Sequence, residues 1–106
     1  ESLLKGWFVK LHAGGYQKSH IHPTGWLSGV FYLKTTDANE SKDGAIELSI
    51  HGHDLPILCE EFPRLTIQPN VGDLIMFPSS LFHRTIPFQE KTERCVIAFD
   101  ISPIVF

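Results

Sequence analysis

A tight turn followed by two short strands is encoded most clearly in the stretch GDLIMFPSSLFH, residues 72–83. Glycine and aspartate at its start favour a turn, and the apolar run that follows predicts a strand running from Leu74 to Phe77. Pro78 ends this strand because proline cannot donate to a β-ladder. The chain then turns back, so His83 is expected at the beginning of the next strand, facing the interior from the opposite side.

The rest of the chain is broken in the same way by its seven prolines and eight glycines. No uninterrupted stretch repeats apolar residues with helical spacing over three turns, so few or no helices are expected. Connections are predicted at residues 37–43, 54–64 and 89–93. An all-β sandwich, jelly roll or small barrel follows, because the apolar segments between the breaks are short and rich in β-branched and aromatic residues. These predicted strands are Leu4–Leu11, Leu27–Leu33, Ala45–Ile50, Leu65–Ile67, Leu74–Phe77 and Arg94–Ile101.

The composition is that of an ordinary globular domain, with 106 residues, 42% hydrophobic residues and a net charge of −3. It argues against a polybasic nucleic-acid surface, and no apolar run approaches the roughly 20 residues of a membrane span. The first residues lack the pattern of a signal peptide, which predicts a cytoplasmic location. Because the chain begins at Glu1 and its one methionine is Met76, residues 1–106 are expected to be a single domain taken from a longer chain. Cys59 and Cys95 are too far from other cysteines for a zinc ribbon and are expected to be buried apolar residues.

The six histidines are the chemical feature that stands out. His20 and His22 lie two residues apart, so an extended backbone would place both imidazoles on one face, where they could bind one metal ion. His83 is positioned to add a third imidazole from an opposing strand. Three protein ligands leave open coordination positions, which is the arrangement of a catalytic rather than a structural metal.

Two other histidine features are expected to stay outside the metal centre. His51 and His53 form a second pair two residues apart, but the intervening glycine suggests a loop and no distal block accompanies them. His12 is expected to pack or form a hydrogen bond on the first strand.

Arg94 opens the apolar run 95–99. At the start of such a strand, its guanidinium can enter the interior and hold a carboxylate through two parallel hydrogen bonds. The alternative is an exposed charge beside Glu93. The histidines favour the first interpretation.

The order of these motifs resembles the iron(II)- and 2-oxoglutarate-dependent oxygenases over nearly the whole chain. The similarity is to the prolyl-hydroxylase-like branch, and within it to a bacterial subgroup with an HxH…H…R pattern, whose domains are often attached to tetratricopeptide repeats. It is carried by HxH at 20–22, LSGVFYL at 27–33, GAIEL at 44–48, GDLIMFPSSLFH at 72–83, Pro87 and Arg94.

The resemblance implies a double-stranded β-helix, or jelly roll, with a metal centre between two sheets. It implies an oxidoreductase that uses Fe(II), O₂ and 2-oxoglutarate to hydroxylate a substrate, with formation of succinate and CO₂. The prime substrate, a protein or a small molecule, cannot be named from the sequence, and neither nucleic acid nor membrane is expected as a partner. By position, the metal ligands and catalytic residues would be His20, His22 and His83, and the cosubstrate residues would be Arg94, Ser28, Gln17 and Tyr32.

His22 departs from the family pattern, which has an acidic residue at this position. A third imidazole makes the ligand set less anionic and changes its preference for metals. Two alternatives therefore remain, a cupin-type metal protein and a degenerate oxygenase-like module used for binding. Trp7, Trp26 and Phe82 are candidates for the apolar wall of the pocket or for ordinary core.

Overall fold

The computed structural model describes residues 2–36, 42–52, 63–89 and 92–104, and these form seven β-strands and no helix. The prediction of an all-β chain is confirmed. Within the described ranges there is accordingly no helix of the length and apolarity needed to cross a membrane. The strands are β1 (Ser2–Leu11), β2 (Leu27–Lys34), β3 (Ile46–Ser49), β4 (Arg64–Ile67), β5 (Leu74–Pro78), β6 (Phe82–Thr85) and β7 (Arg94–Pro103).

Each predicted strand is present, and the ends of some differ by a few residues. β1 and β7 extend beyond their predicted limits because they pair along their whole length, with Ser2 opposite Pro103. Ala45 and Ile50 lie just outside β3. Most of the predicted 37–43 and 54–64 connections, together with His53 and Cys59, lies outside the described residues.

The strands form two antiparallel sheets. One has the order β1-β7-β2-β5 and the other β4-β3-β6. Their facing sides enclose the core, to which both sheets contribute. This is the two-sheet architecture of the predicted jelly roll, and its buried core residues are Val30, Tyr32, Ile46, Leu48, Phe77 and Val96.

The alternation of side chains along β2 and β7 decides what faces this core. Tyr32 on β2 is fully buried, whereas its neighbour Phe31 is 37% exposed on the outer face. On β7, Arg94 and Val96 are buried and Cys95 between them is only partly buried. The expectation that Cys95 is a buried residue is therefore wrong, because period-two geometry turns it away from the interior.

The turn before β5 is built as the sequence predicted. The Asp73 N–H donates to Asn70 O at 3.0 Å, and the Asp73 carboxylate accepts from the Asn70 N–H at 2.8 Å. Gly72 has a φ of 89°, a left-handed conformation that glycine adopts without steric cost. The chain thus enters β5 in the direction that leads to Pro78 and back along β6.

Candidate metal centre

His20 and His83 are brought together by the backbone. The His20 N–H donates to His83 O and the His83 N–H donates to His20 O, both at 3.0 Å, which makes an isolated antiparallel bridge. On its other side, β6 pairs with β3, and His83 lies opposite Leu48. The segment at residue 20 therefore adds a single bridge to the edge of the second sheet instead of forming a full strand.

His22 is fixed to the next part of the same connection. Its N–H donates to Ser79 O at 3.1 Å, so the HxH segment runs beside the residues that join β5 to β6. The sequence predicted that the two rings share a face, and their centroids lie 5.3 Å apart in a stacked arrangement. The His83 ring lies 4.1 Å from that of His20 and 4.8 Å from that of His22.

One ring nitrogen from each of the three histidines lies within 4.8 Å of the other two. His83 is buried, with 7% of its surface exposed, and the other two are partly buried. Burial and the neighbouring His20 lower the pKa of His83 from its usual 6.5 to about 4. His83 is therefore neutral near pH 7, the form in which imidazole binds metals.

Each ring uses its Nδ1 atom for a protein contact. His20 Nδ1 lies 2.6 Å from Lys18 O, and His83 Nδ1 lies 3.4 Å from Leu81 O. His22 Nδ1 lies 2.7 and 2.8 Å from the two carboxylate oxygens of Asp100. Because carbonyl and carboxylate oxygens accept hydrogen bonds, these contacts favour a proton on Nδ1, and an imidazole protonated only at Nδ1 has an Nε2 lone pair that can bind a metal. Metal-binding histidines are typically oriented in this way, and three neutral imidazoles suit iron among other transition metals.

Arg94 lies at the start of β7, on the same face of the strand as Asp100. It is 2% exposed, so the alternative of an exposed charge is wrong; Glu93 pairs instead with Lys10 at 3.2 Å. The Arg94 Nε–H donates to Gly44 O at 3.1 Å, and the Arg94 Nη2–H donates to Tyr32 Oη at 3.3 Å. Burial lowers the pKa of the guanidinium.

The third nitrogen of this guanidinium, Nη1, is buried and has no hydrogen-bond partner among the described residues. An unpaired buried donor on a cation is costly, and a carboxylate is the group that best satisfies it. Arg94 thus fits the carboxylate end of a ligand such as 2-oxoglutarate.

The comparison with protein families agrees with this geometry. Residues 5–100 match the sequence profile of a family described as "Putative 2OG-Fe(II) oxygenase". The chain belongs to this family. The family uses Fe(II) and 2-oxoglutarate, as the resemblance in the sequence implied. A search of curated proteins gives no match to this chain.

Several solved structures have the same fold as this chain at low sequence identity. A Pseudomonas putida prolyl-4-hydroxylase matches with a TM-score of 0.72 and 16% identity over 95% of this chain and 53% of its own. A Burkholderia pseudomallei oxidoreductase of the 2OG-Fe(II) oxygenase family matches with a TM-score of 0.73 and 15% identity over 96% and 45%. HygX from Streptomyces hygroscopicus, solved with nickel, 2-oxoglutarate and hygromycin B, matches with a TM-score of 0.72 and 16% identity over 99% and 57%. The chain therefore spans about half the length of these proteins and shares their fold.

The other three residues expected to contact the cosubstrate lie in different places. Tyr32 accompanies Arg94, whose guanidinium carbon is 5.1 Å from the tyrosine ring centroid. Ser28 lies at the histidine end, where its hydroxyl donates to Asp100 Oδ1 at 2.6 Å. Gln17 is partly buried beside β6, and its backbone oxygen accepts from the Thr85 N–H at 3.2 Å. Its side-chain amide makes no hydrogen bond to a described residue.

Sequence reasoning missed Asp100 and Ser79. The Ser79 hydroxyl lies 2.8 Å from that of Ser28, and Ser79 is fully buried. Strand alternation could have identified Asp100. Positions 94, 96, 98 and 100 share one face of β7, so an aspartate at 100 points to the interior between the sheets. Its partner, however, is 78 residues away in the chain, and a local pattern does not reveal such a contact.

The other histidines and the two tryptophans singled out in the sequence lie in different environments. His51 is outside the three-histidine group found among the described residues. His12 follows β1, and its side chain is 72% exposed with Nδ1 3.9 Å from Glu93. It does not pack in the core, but its backbone oxygen accepts a hydrogen bond from the Gly15 N–H at 2.8 Å. Trp7 stacks on His22 with 5.6 Å between ring centroids, whereas Trp26 is 63% exposed.

Proposed function

We propose that this domain is an Fe(II)- and 2-oxoglutarate-dependent dioxygenase that hydroxylates a substrate still to be identified. The observation that supports it best is the arrangement along one face of the β1-β7-β2-β5 sheet. Three imidazoles, each with one ring nitrogen within 4.8 Å of the other two, meet beside Asp100. At Arg94 lies a buried guanidinium whose Nη1 has no hydrogen-bond partner among the described residues. The backbone positions of Arg94 and Asp100 are six residues apart on β7, which is about 20 Å of extended chain. The distance between the guanidinium and the imidazoles is shorter, because these side chains extend toward each other.

The three histidines and Arg94 have different roles in this proposal. His20, His22 and His83 hold the metal and leave coordination positions open for ligands. Arg94 binds the far carboxylate of 2-oxoglutarate, with Tyr32 fixing the guanidinium. When bound, Fe(II) and 2-oxoglutarate supply the oxidising chemistry, in which O₂ is consumed and succinate and CO₂ are formed with the hydroxylated product.

The apolar residues between the two ends exclude water. Val30 and Val96 are buried on neighbouring strands, and Val30 lies opposite Ala98 in the sheet register. A low local dielectric strengthens the contact between a guanidinium and a carboxylate. The cosubstrate would therefore be oriented by charge at one end and by the metal at the other.

The prime substrate has a candidate entrance next to His22. A cavity of about 600 Å³ opens along the β1 side of the metal centre, and Trp7 forms the wall that it shares with the His22 ring. This volume suits a small organic molecule or the side chain of a larger one. The residues that line the cavity are Leu3, Lys5, Trp7, Thr24, Asp100, Ser102 and Pro103.

Anaerobic titration tests the proposed function. Fe(II) together with 2-oxoglutarate is expected to give a visible charge-transfer band, which disappears in His83→Ala. In Arg94→Ala the band weakens, because 2-oxoglutarate binds less tightly while Fe(II) still binds. His12→Ala is the matched control, since its side chain is exposed and lies outside the triad. Succinate formed from 2-oxoglutarate in air supports turnover.

The same titration separates the two other candidate functions. Metal binding that does not respond to 2-oxoglutarate would favour a cupin-type metal protein. Absence of metal binding would favour a binding module, the alternative raised by His22 at the position of the family carboxylate.

A further inference from the structure

Asp100 makes the contact that distinguishes His22 from the other two histidines. His20 and His83 direct Nδ1 at backbone carbonyl groups, whereas His22 Nδ1 lies within hydrogen-bond distance of both carboxylate oxygens, at 2.7 and 2.8 Å. The side chains of His22 and Asp100 are 15% and 14% exposed, so the pair is largely shielded from water. Hydrogen bonds to a carboxylate are stronger than those to a neutral carbonyl.

The Asp100 carboxylate is itself held by a second hydrogen bond, from Ser28. The Ser28 hydroxyl donates to Asp100 Oδ1 at 2.6 Å, which leaves the Ser79 hydroxyl to donate to Ser28 Oγ at 2.8 Å. The backbone of Ser79 accepts the His22 N–H. His22, Asp100, Ser28 and Ser79 therefore form a closed ring of hydrogen bonds, in which the carboxylate has little freedom to rotate away.

One side of this ring is closely packed at Gly25. A Cβ atom at Gly25 would lie 2.6 Å from Ser79 Oγ and 3.5 Å from Asp100 Cγ. The chain between His22 and β2 thus passes so close to the Ser79 hydroxyl that a side chain at residue 25 would clash with it, whereas the Asp100 carboxylate lies at an ordinary contact distance. Gly25 therefore limits movement of Ser79, and Asp100 is held by its hydrogen bonds to His22 and Ser28.

We propose that Asp100 is a positioning residue that holds His22 in its Nδ1–H tautomer, with Nε2 aimed at the metal, and gives this ligand partial anionic character. The inference rests on the proposed metal centre. Donation of Nδ1–H to a carboxylate raises the basicity of Nε2, and His22 is the member of the triad to which this applies. A ligand set of three neutral imidazoles thereby receives negative charge through the hydrogen bond, without a carboxylate among the ligands.

The first test is the tautomer of His22 in the metal-free protein, read from ¹⁵N–¹H correlation spectra under conditions where the imidazoles are neutral. His22 is expected in the Nδ1–H form in the native chain. In Asp100→Ala its signals should move toward the Nε2–H form, whereas His20 and His83 keep their tautomers. Native spectra with His22 in the Nε2–H form would overturn the proposal.

The second test is metal affinity, measured by anaerobic competition between the protein and a chromophoric chelator for Fe(II) and Mn(II). Asp100→Asn, which keeps the shape and removes the charge, should weaken binding about 10- to 100-fold, and Asp100→Glu should recover most of it. Asp73→Asn, at the exposed turn before β5, is the matched control and should bind as the native chain does. Equal affinity of the native and Asp100→Asn proteins contradicts the inference.

The outcomes distinguish this inference from the proposed function. If the native chain and His83→Ala bind Fe(II) equally, the metal centre is wrong and the inference falls with it. If His83→Ala abolishes binding while Asp100→Asn and Asp100→Ala leave it unchanged, the metal centre stands and the role of Asp100 is wrong. Complete loss in Asp100→Ala with an unchanged His22 tautomer would make Asp100 a metal ligand and would also overturn the positioning role.

Discussion

Arg94 is a buried cation that keeps one hydrogen-bond donor, Nη1, without a partner among the described residues. Its guanidinium is buried, and within the described chain its polar contacts are a carbonyl oxygen and a phenol, with no carboxylate. Burying a cation without a counter-ion is unfavourable, so the position is maintained by the surrounding structure against its local preference. Binding sites often carry such local conflicts, because the group that relieves them is the ligand.

Tyr32→Phe tests the fixing of this guanidinium. The substitution removes the oxygen 3.3 Å from Arg94 Nη2, leaving a second buried donor unpaired. The free energy of unfolding should fall by about 1–3 kcal/mol, and the affinity for 2-oxoglutarate should fall because Arg94 is less well oriented. Urea unfolding and anaerobic titration measure the two effects. Tyr16→Phe, at a residue that is 54% exposed, should change neither; an effect of the same size there would contradict the assignment.

Residue identity and spacing were enough to predict the three histidines but not the groups that orient them. His20 and His22 are two residues apart, and His83 lies in a recognisable turn and strand, so local rules located all three. Asp100 occupies a strand otherwise rich in apolar residues, and its role depends on contacts with His22 and Ser28. Such a role arises from the pairing of distant strands, which one sequence does not specify.

At the scale of elements, the pairing of β2 with β7 depends on a close approach at Gly29. Gly29 lies opposite Phe99 in the register, and a Cβ atom at this position would be 2.1 Å from Phe99 Cζ. The phenyl ring therefore covers the glycine backbone, an arrangement that compensates for the missing side chain.

Gly29→Ala should force this ring out of its place. Overpacking of this kind lowers the free energy of unfolding by about 1–3 kcal/mol. A second change, Phe99→Leu, should recover part of the loss in the Gly29→Ala background, since it removes the ring atoms that clash. Gly6→Ala is the control because its Cβ would meet Ala98 O at an ordinary 3.5 Å. Thermal or urea unfolding of the four proteins is sufficient, and equal stability of Gly29→Ala and Gly6→Ala would show the contact to be loose.

β6 presents different chemistry on its two faces. On the outer face Arg84 makes two hydrogen bonds of 3.0 Å to the Glu47 carboxylate on β3. On the inner face His83 is paired in register with the buried Leu48. The strand that carries His83, a proposed metal ligand, is thus attached to β3 by an ion pair outside and by apolar packing inside.

Substitutions on these two faces should have different consequences. Arg84→Gln breaks a partly exposed ion pair, so stability should fall by less than about 1 kcal/mol and the affinity for metal should not change. Leu48→Ala leaves a cavity beside His83 and should cost about 2–5 kcal/mol, with weaker metal binding because the ligand is less constrained. Urea unfolding and metal titration of both variants make the comparison. Weaker metal binding in Arg84→Gln alone would reverse this assignment.

The sequence predicted the strands well because alternation and turn residues are local signals. It could not show that residue 20 pairs with β6 by a single bridge, since this contact is decided by where the chain passes after leaving β1. The two-residue spacing of His20 and His22 nevertheless had the predicted effect, because extended backbone places alternate side chains on one side even without a full strand.

At the scale of the whole molecule, the three histidines connect the two sheets. His83 belongs to β6, and His20 is bridged to the same strand. His22 is joined through Asp100 to β7 of the other sheet. A metal bound by all three histidines would therefore close a link between the sheets that the metal-free chain makes only through packing and hydrogen bonds.

Metal removal should accordingly lower the stability of the entire domain. An ion that binds the folded chain and is present at 100 times its dissociation constant adds about 2.7 kcal/mol. For a domain of this size, that corresponds to a rise in Tm of about 10 °C or more. Calorimetry under anaerobic conditions, with Mn(II) in one sample and a chelator in the other, measures the difference. His83→Ala should melt at the same temperature in both samples, whereas His12→Ala should keep the full shift. An equal shift in His83→Ala would mean that the ion stabilises the fold from another site, and the three histidines would then not form a metal-dependent link between the sheets.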